Sequence, residues 1–543
     1  MASLHYARLN ESLKASCLED SIEFENGIKT VEKIQKAKLL DLIRKNQNTE
    51  FGKKYRFKNI QGIDDFRRAV PILTHQDYQE FIVKIMDGQQ EVLTSEPVLI
   101  LEPTSGSVAP SKLIPYTESL RREFRKGISP WLYDLLSNHS EIMGGSFYWS
   151  ITPAMHEEKT TNGGLKIGFG NDDAYFTNTQ QRLISQLTAV PFNVSRIQDI
   201  NNFQLETLKH LLENKDLAFI SVWNPTFLSL LFKPLISNKD NLLARIKSPD
   251  RVRELSDIFS SGDDKQKMFK RIWPNLSLIS CWTDGNASPY VDPVKKLFPE
   301  VEIQGKGLIA TEGFVSLPLL GYKGSALSIN SHFFEFKQKD KEFTRLAHEL
   351  EKGEKYEVII TTGGGFYRYN LEDTVEVVGF REQCPLIKFL GRSNRVSDLF
   401  GEKLNETHVS DALYSSLRET GISPNFCMVA PEELQGEQGH AYTVFIEPNE
   451  VLRGQKDRLS NFVKEFDVKL QENYHYKYCR KLGQLLIPRI FIINEGAENK
   501  SASEIYLEVC SSRGQKIGAV KPALLNSTKG WSKEFPGYFV KSD

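Results

Sequence analysis

Hydrophobic residues recur at helical spacing in the first quarter of the chain. From residue 28 to residue 46, apolar side chains stand at every third position with lysine and arginine between them: Val31, Ile34, Ala37, Leu40 and Ile43. This spacing predicts an amphipathic helix. Further on, Thr74 precedes an acidic turn in the way that a helix N-cap does. The first quarter is therefore predicted to be helical.

Short apolar runs of strand length follow from about residue 215 to residue 395: AFISVW, LSLISCW, VEIQ, YEVIITT, TVEVVGF and LIKFL. Stretches of helical pattern lie between them, for example FTRLAHELEKG at 343–353. The most apolar stretch, Leu217 to Phe232, contains Pro225 and is predicted to be a strand, a turn and a helix. Alternation of strands and helices predicts a largely parallel sheet covered by helices.

The pattern changes again after about residue 395. The runs NFCMVA, AYTVFIEP and RIFII are predicted to be strands of a small sheet, and residues 451–479, rich in lysine and glutamate, one or two helices packed on it. The polar stretch GRSNRVSDLFGEK separates the two patterns. The predicted fold class is therefore α/β, with a large N-terminal part of mixed or parallel sheets covered by helices and a small C-terminal α+β domain.

Composition and charge narrow the class of protein. Lys and Arg number 69 and Asp and Glu 70, so the net charge is -1. No overall positive field is present to attract nucleic acid or an anionic membrane, and no apolar stretch is long enough to span a bilayer. The six cysteines are scattered without a CxxC pair, which favours a reducing compartment. We expect a cytoplasmic monomer or small homo-oligomer without nucleic-acid or membrane partners.

Three segments have residue types suited to a nucleotide. In the first, residues 103–112, small and hydroxyl residues and Lys112 follow an apolar run, as suits contact with phosphate. In the second, Glu312 lies beside Thr311 in a glycine-rich stretch, where its carboxylate could hold Mg²⁺. In the third, residues 361–373, three glycines precede Asp373, whose carboxylate could accept ribose hydroxyls. Structural alternatives stay open: a plain turn, a helix cap at Thr311, and a hairpin with a salt-bridged Arg368.

The order and spacing of the three segments add to the signal of each one. In these segments the chain resembles the Gretchen-Hagen-type acyl acid amido synthetases, within the adenylate-forming superfamily. Further stretches carry the same resemblance: FISVWNPTFLSLL, CWTDGNASPY, FPEVEIQGKGLIATEG, TTGGGFYRYNLEDTVEVVGF, FLGRSNRVSDLFGEKLNE and RGQKIGAVKPALL. The resemblance runs from about residue 100 to residue 530. Two of these stretches are nearer in sequence to the bacterial-like branch of the family than to the plant branch: IQGKGLIATEG and SDLFGEKLNE.

The resemblance implies an enzyme that uses ATP and Mg²⁺. It would adenylate a small carboxylic acid and transfer the acyl group to the nitrogen of an amino acid. Residues 1–391 would form the adenylation domain and residues 392–543 a mobile cap domain. Carried over by motif, Lys112 would be catalytic and Glu312 would bind Mg²⁺. The implied nucleotide-binding residues are Ser105, Gly106, Ser107, Ala310, Thr311, Glu312, Gly313, Phe314, Asp373 and Arg392.

The resemblance also implies a catalytic lysine near the C-terminus. The segment from Arg513 to Lys521 lines up without gaps on the corresponding family segment, which selects Lys521. Lys529 and Lys533 are the alternatives.

Several residues depart from the family pattern. Val108 and Ala109 reduce the hydroxyl and glycine content of the first loop. Leu308 stands where relatives place an aromatic residue that stacks on adenine, which leaves Phe314 or Phe366 for that role. The other departures are Asn370 and Glu372, and Glu372 replaces a glycine. Two other functions therefore stay open: a ligase with a thiol acceptor of the acyl-CoA type, and a degenerate member that only binds a nucleotide or acid.

Overall fold

A computed structural model divides the chain into two compact units, Met1–Phe389 and Leu390–Asp543. The structure describes residues 2–104, 112–149, 159–168, 175–197, 199–339, 341–392, 396–397, 399–400, 402–433, 440–449, 455–481, 483–494, 500–513 and 523–540. No described helix combines the length and the hydropathy that crossing a bilayer requires.

The helices of the first unit are α1 Ala2–Ser16, α2 Leu18–Gly27, α3 Val31–Lys45, α4 Glu50–Lys54, α5 Ile63–Ala69, α6 His75–Met86, α7 Glu118–Asn138, α8 Asn178–Leu187, α9 Ile200–Glu213, α10 Pro225–Phe232, α11 Lys239–Arg245, α12 Pro249–Ser260, α13 Lys265–Ile272 and α14 Val291–Leu297. Its strands are β1 Ile100–Pro103, β2 Leu113–Tyr116, β3 Ser146–Trp149, β4 Lys159–Thr160, β5 Lys166–Ile167, β6 Leu217–Ser221, β7 Leu278–Cys281, β8 Glu302–Gly305, β9 Ile309–Ala310, β10 Gly313–Phe314, β11 Ser316–Pro318, β12 Ser325–Leu327, β13 Phe333–Lys337, β14 Thr344–Leu346, β15 Lys355–Thr361, β16 Tyr369–Arg381 and β17 Cys384–Arg392, which runs on into the second unit.

The helices predicted near the N-terminus are present. α3 covers the predicted amphipathic segment. α6 begins directly after Thr74, and the Asp77 carboxylate accepts hydrogen bonds from both the backbone N–H and the hydroxyl of Thr74, at 2.8 Å each. This pair closes the helix start and confirms the predicted N-cap.

The predicted parallel sheet exists, but it has only four strands. β3, β6, β7 and β8 lie side by side in that order, and every neighbouring pair is parallel. On one face of the sheet, apolar side chains of β6 and β7 pack with those of α9 to α14, and on the other face they belong to a second core. Burial on both faces explains why these strands read as continuous apolar runs. The stretch from Leu217 to Phe232 forms β6 and α10, as predicted.

The parallel prediction is wrong for the later strands. β15 and β16 pair antiparallel in a seven-stranded sheet of order β11-β12-β17-β16-β15-β13-β14. The helix predicted at 343–353 is also wrong, because β14 occupies its start and a 3₁₀ turn follows at Ala347–Glu349. β14 pairs with β13, and the Thr344 hydroxyl donates to the buried Glu335 carboxylate at 2.6 Å. Pairing with the preceding strand overrides the local helical pattern here.

The second unit contains β18 Val396–Ser397, β19 Leu404–Asn405, α15 Glu406–Glu419, β20 Phe426–Glu433, β21 His440–Glu447, α16 Lys456–Leu470, α17 Tyr474–Lys481, β22 Arg489–Ile493, α18 Ala502–Ser512, α19 Trp531–Glu534 and β23 Gly537–Phe539. β20, β21, β22 and β23 form one sheet in that order, parallel only between β21 and β22. α15 and α16 share its hydrophobic core. The predicted small α+β domain is therefore present, with its strands and helices where the sequence pattern placed them.

Candidate active site

The first predicted segment, residues 103–112, starts at the end of β1 and ends directly before β2. β1 and β2 pair antiparallel. The hairpin is closed by Thr104 and Lys112, since the Thr104 N–H donates to the Lys112 carbonyl at 2.8 Å and the Lys112 N–H to the Thr104 hydroxyl at 3.2 Å. The predicted phosphate contacts Ser105, Gly106 and Ser107 lie outside the described residues. Lys112 thus marks the point where the loop returns to the sheet.

The second segment forms a tight hairpin, not a helix cap. β9 and β10 pair antiparallel, with Ala310 opposite Gly313, so that Thr311 and Glu312 form the turn. The Tyr116 hydroxyl, at the end of β2, donates to the Thr311 carbonyl at 2.6 Å. The strand that follows the first segment is therefore in direct contact with the second segment.

The Glu312 carboxylate is bound to the third segment. Glu312 is only 5 % exposed, and the Tyr369 hydroxyl at the start of β16 donates to its Oε1 at 3.2 Å. A carboxylate oxygen is the kind of ligand that Mg²⁺ prefers. The chemistry of Glu312 and its place in a turn between two strands therefore fit the predicted metal contact.

Arg368, in the third segment, is a structural residue. Its guanidinium donates to Glu335 at 2.9 Å and 3.1 Å, and to the carbonyls of Arg67 and Val70 at 3.1 Å and 2.8 Å. Glu335 is 1 % exposed and Arg368 7 %. The alternative of a hairpin with a salt-bridged Arg368 is confirmed. Asp373, the predicted ribose contact, lies in the same segment. The ion pair between Arg368 and Glu335 therefore supports the turn that precedes this residue.

Asp373 lies in a bulge of β16. Between the pairs Glu357–Thr374 and Ile359–Asn370 the register of β15 and β16 shifts, so three residues of β16 face one of β15. Asp373 is the last of the three and is 2 % exposed. Bulges next to active sites re-aim a side chain.

The two departures in this segment, Asn370 and Glu372, act together. Glu372 has φ +61°, the left-handed region that glycine prefers. The Asn370 side-chain oxygen accepts the Glu372 N–H at 2.8 Å, which supports this backbone conformation locally. A glutamate therefore adopts here a backbone conformation that glycine favours, and Asn370 supplies the stabilising contact.

Glu372 also brings the first and third segments together. Its Oε2 lies 3.7 Å from the Lys112 Nζ. Both side chains are partly exposed, 36 % for Lys112 and 22 % for Glu372, so the pair itself adds little stability. The pair places the ammonium group of Lys112 next to Glu372, the residue before Asp373 in the chain.

Substitutions at Glu372 test this backbone conformation. Glu372→Gly should change the free energy of unfolding by less than about 1 kcal/mol, because glycine adopts φ +61° without strain. Glu372→Val should destabilise by about 1–2 kcal/mol more than Glu372→Gly, because a β-branched residue is strained there. Urea denaturation of both variants measures the difference. Equal stabilities would show that residue 372 is not held in the left-handed region.

A buried network that sequence reasoning missed joins the second and third segments. The Phe314 N–H donates to Nε2 of His332 at 2.9 Å, and Nδ1 of His332 lies 2.9 Å from the Glu123 carboxylate. Glu123 also accepts the Gly363 N–H at 2.8 Å and pairs with Lys38 at 3.0 Å. Because Nε2 accepts a hydrogen bond from a backbone N–H, His332 is neutral and its Nδ1 donates to Glu123.

The pKa values of the network agree with this assignment. Burial lowers the pKa of His332 more than the Glu123 carboxylate raises it. Burial alone would raise the pKa of Glu123, but Lys38 and His332 bring it below its usual value. No sequence motif marks these residues, since each comes from a different part of the chain and the pattern of α7 shows only an amphipathic helix.

The aromatic candidates for an adenine platform are core residues. Phe314 is 1 % exposed and meets Phe124 edge-to-face, with ring centroids 6.3 Å apart. Phe366, also 1 % exposed, stacks on Tyr369 at 4.4 Å. Leu308 is buried in the same core. The adenine platform stays a prediction.

Two predicted residues belong to the second unit. Arg392 is the last residue of β17. Lys521 lies outside the described residues, while Lys529 and Lys533 flank the start of α19.

Comparison with known proteins identifies the family. The GH3 family N-terminal domain matches residues 21–303, the GH3 family central domain residues 325–392 and the GH3 family C-terminal domain residues 407–528. The chain belongs to the GH3 family. A jasmonoyl-L-amino acid synthetase, JAR4 of Nicotiana attenuata, is 22% identical over 445 residues, which cover 73% of this chain and 75% of the relative. The indole-3-acetic acid-amido synthetase GH3.4 of Arabidopsis thaliana is 22% identical over 471 residues, covering 75% and 77%.

Solved structures of GH3 proteins have the same fold. The structure titled AtGH3.15 acyl acid amido synthetase in complex with 2,4-DB superposes with a TM-score of 0.82 at 17% identity, over 97% of this chain and 98% of that one. The predicted family and fold class are confirmed. The predicted enzyme class, an ATP-dependent ligase that forms an amide from an acyl acid, is confirmed at the level of the GH3 family. Assignment to the bacterial-like branch stays a prediction.

Proposed function

We propose that this GH3 protein adenylates a small carboxylic acid with ATP and transfers the acyl group to an amino acid. In the first step a carboxylate oxygen attacks the α-phosphorus, the new C–O–P linkage forms and pyrophosphate leaves. In the second, the amino nitrogen attacks the acyl carbon, the bond to AMP breaks and the nitrogen loses a proton. The acid and the amino acid are the two substrates that the relatives' names imply.

One observation carries this proposal: three segments far apart in the sequence converge in the first unit. Tyr116, at the end of the strand that follows the first segment, contacts Thr311, and Tyr369 joins the third segment to Glu312. Lys112 reaches Glu372, next to Asp373. A chance set of glycine-rich turns has no reason to meet in this way, whereas a nucleotide site needs phosphate, metal and ribose contacts in one place.

The roles follow from the chemistry of each group. Ser105, Gly106 and Ser107 contact the phosphates, Ala310, Thr311, Gly313 and Phe314 line the nucleotide, and Asp373 accepts the ribose hydroxyls. Glu312 holds Mg²⁺, which neutralises phosphate charge when bound. Lys112 and Lys521 supply the positive charge at the reacting groups, and Arg392 contacts the nucleotide. Residues 1–391 act as the adenylation domain and residues 392–543 as the mobile cap.

The structure bears on the two other functions. The degenerate-member hypothesis rested on Glu372 and Leu308, and the left-handed conformation of Glu372 removes one of its two supports. The thiol-acceptor hypothesis has no feature in the described residues that favours it. The monomeric or small oligomeric state, the cytoplasmic location and the lack of nucleic-acid and membrane partners stay predictions.

ATP–pyrophosphate exchange with a panel of carboxylic acids tests the proposal. We expect exchange that depends on one class of acid, and an amide product by mass spectrometry when amino acids are added. A thioester formed with coenzyme A in place of an amide would select the thiol-acceptor alternative. Silence with every acid, in a protein that binds ATP, would select the binding-only alternative.

Asp373→Ala should weaken ATP binding at least tenfold. A buried carboxylate that accepts hydroxyl hydrogens makes charge-assisted hydrogen bonds worth roughly 1.5–3 kcal/mol, and alanine removes them. Calorimetric titration with ATP measures the affinity. Glu376→Ala is the matched control, because Glu376 lies on the same strand beyond the bulge. Unchanged affinity in a folded Asp373→Ala protein would remove the ribose role.

A further inference from the structure

The carboxyl ends of the four parallel strands carry an unusual set of side chains. Trp149 ends β3, Ser221 ends β6, Cys281 ends β7, and Lys306 directly follows β8. In open α/β sheets, ligands bind at this edge. The edge is also near the nucleotide segments along the chain, since Lys306 precedes Glu312 by six residues.

The Lys306 ammonium group lies inside an aromatic cage. Lys306 is 7 % exposed, and its Nζ donates to the Ser221 hydroxyl at 2.7 Å. The ring centroids of Trp131, Trp149 and Trp223 lie 5.1 Å, 5.8 Å and 5.1 Å from the Nζ. We call these three rings the tryptophan cage.

The cage leaves the charge of Lys306 without a counter-ion. Within the described part of the chain no carboxylate pairs with it, and its hydroxyl partner Ser221 is uncharged. The one titratable group that faces it there is Cys281, whose pKa is raised by burial to about 12, so this thiol is neutral. Burial without a counter-ion lowers the pKa of Lys306 to about 7.

A buried ammonium in this state is costly to the fold. Even after cation–π attraction to three rings, a desolvated charge without an anionic partner costs several kcal/mol, and an apolar residue of similar volume would pack at lower cost. A group that destabilises the apo protein and lies at a ligand-binding edge is a candidate for function.

Aromatic contacts extend from the cage towards the Thr311–Glu312 turn. Trp149 meets Phe176 with centroids 5.8 Å apart, and the adjacent Tyr175 stacks on Phe124 at 4.7 Å. Tyr175 also lies 6.1 Å from Tyr116, whose hydroxyl binds the Thr311 carbonyl. Aromatic side chains therefore connect Lys306 with the candidate nucleotide site.

We propose that Lys306, held by Ser221 and the tryptophan cage, binds the carboxylate of an aromatic acyl acid. The anion supplies the missing counter-charge in a site of low dielectric, where such a pair is strong. The aromatic neighbours favour a ring over an aliphatic chain as the body of the acid. This inference rests on the proposed function in that it takes the ligand to be the acyl acid.

Direct binding without ATP tests the proposal separately from catalysis. Tryptophan fluorescence and calorimetry would follow titration with benzoic, phenylacetic and cinnamic acids, with the corresponding primary amides as neutral controls. We expect at least one acid to bind and its amide to bind at least tenfold more weakly. Lys306→Met should lower the affinity for the acid at least tenfold and leave the affinity for ATP unchanged. Lys295→Met, at an exposed lysine of α14, is the matched control and should bind as the parent does.

The pH dependence separates a binding role from a structural one. Only the protonated amine attracts a carboxylate, so acid affinity should fall as pH rises from 6 to 9, approaching tenfold per pH unit above the pKa of about 7. The fall should be absent in Lys306→Met. A merely structural lysine would alter the melting temperature and leave this slope unchanged.

Three outcomes decide whether Lys306 binds the carboxylate of the acid. Failure of every aromatic acid to bind the parent protein, or equal binding by Lys306→Met with the same pH slope, overturns the proposal even if ATP–pyrophosphate exchange succeeds with other acids. Loss of acid binding and of its pH slope in Lys306→Met supports it. That support stands even if no exchange is detected, in which case only the proposed catalytic function fails.

Discussion

Replacing Lys521 with alanine is expected to lower the rate of adenylate formation at least tenfold and to leave ATP binding nearly intact. A preorganised cation that meets charge developing between the carboxylate and the α-phosphate is typically worth about 3–4 kcal/mol of barrier. The charge develops in the transition state, so the loss should fall on the rate of exchange and not on nucleotide affinity. ATP–pyrophosphate exchange and calorimetric titration with ATP measure the two quantities.

The same experiment discriminates between the candidate lysines near the C-terminus. Lys529→Ala and Lys533→Ala should retain near-parental exchange if Lys521 is the reacting lysine. Near-normal exchange in Lys521→Ala, with a large loss in one of the other two variants, would move the assignment to that residue. Comparison with Lys112→Ala is informative, because Lys112 lies in the first unit and pairs with Glu372 in this structure.

Arg368→Ala should lower the free energy of unfolding by about 3–5 kcal/mol. Removal of one partner of a buried ion pair leaves an uncompensated charge, here Glu335 at 1 % exposure. Arg67, 3.0 Å from Glu335, compensates part of that charge and favours the lower end of the range. Carbonyl groups of Arg67 and Val70 also lose their donor. Chemical denaturation measures the effect.

Two further variants serve as comparisons for the free energy of unfolding of Arg368→Ala. Arg253→Ala breaks an exposed ion pair with Asp250 and should cost less than about 1 kcal/mol. The double variant Arg368→Met with Glu335→Leu should recover part of the loss, because it removes the buried Glu335 carboxylate together with Arg368, although Arg67 also loses Glu335 as its partner. If the double variant were as unstable as Arg368→Ala, packing of the guanidinium would be the main contribution instead.

Glu372 differs from the glycine of the family pattern, and it nevertheless adopts a backbone conformation that glycine favours. A glutamate in place of a glycine suggests an altered turn when it is considered alone. In the fold, the Asn370 side chain accepts the Glu372 N–H, and the residue keeps a left-handed backbone. The extra carboxylate then faces Lys112. Two substitutions that each departed from the family pattern therefore form one compensated unit beside Asp373.

Local patterns in the sequence predicted the local structure well. The period of α3, the cap at Thr74 and the break at Pro225 all depend on residues close in the chain. The motif order also predicted the GH3 family and the ATP-dependent ligase activity, because nucleotide contacts are made by short segments of fixed residue type.

The sequence by itself thus determined the helices, most strands, the family and the three candidate segments of this protein. The tertiary structure alone decided the antiparallel direction of β15 and β16 and the strand at Thr344–Leu346. It also decided that the four parallel strands and the seven later strands form separate sheets. It alone brought His332 to Phe314 and placed Lys306 among three tryptophans. The physical reason is that no local period encodes which partner a residue meets. β14 and β16 each pair with the strand just before them in the chain, and their local patterns do not specify that pairing. The burial of His332 and Lys306, and with it their pKa, depends on partners far away in the chain.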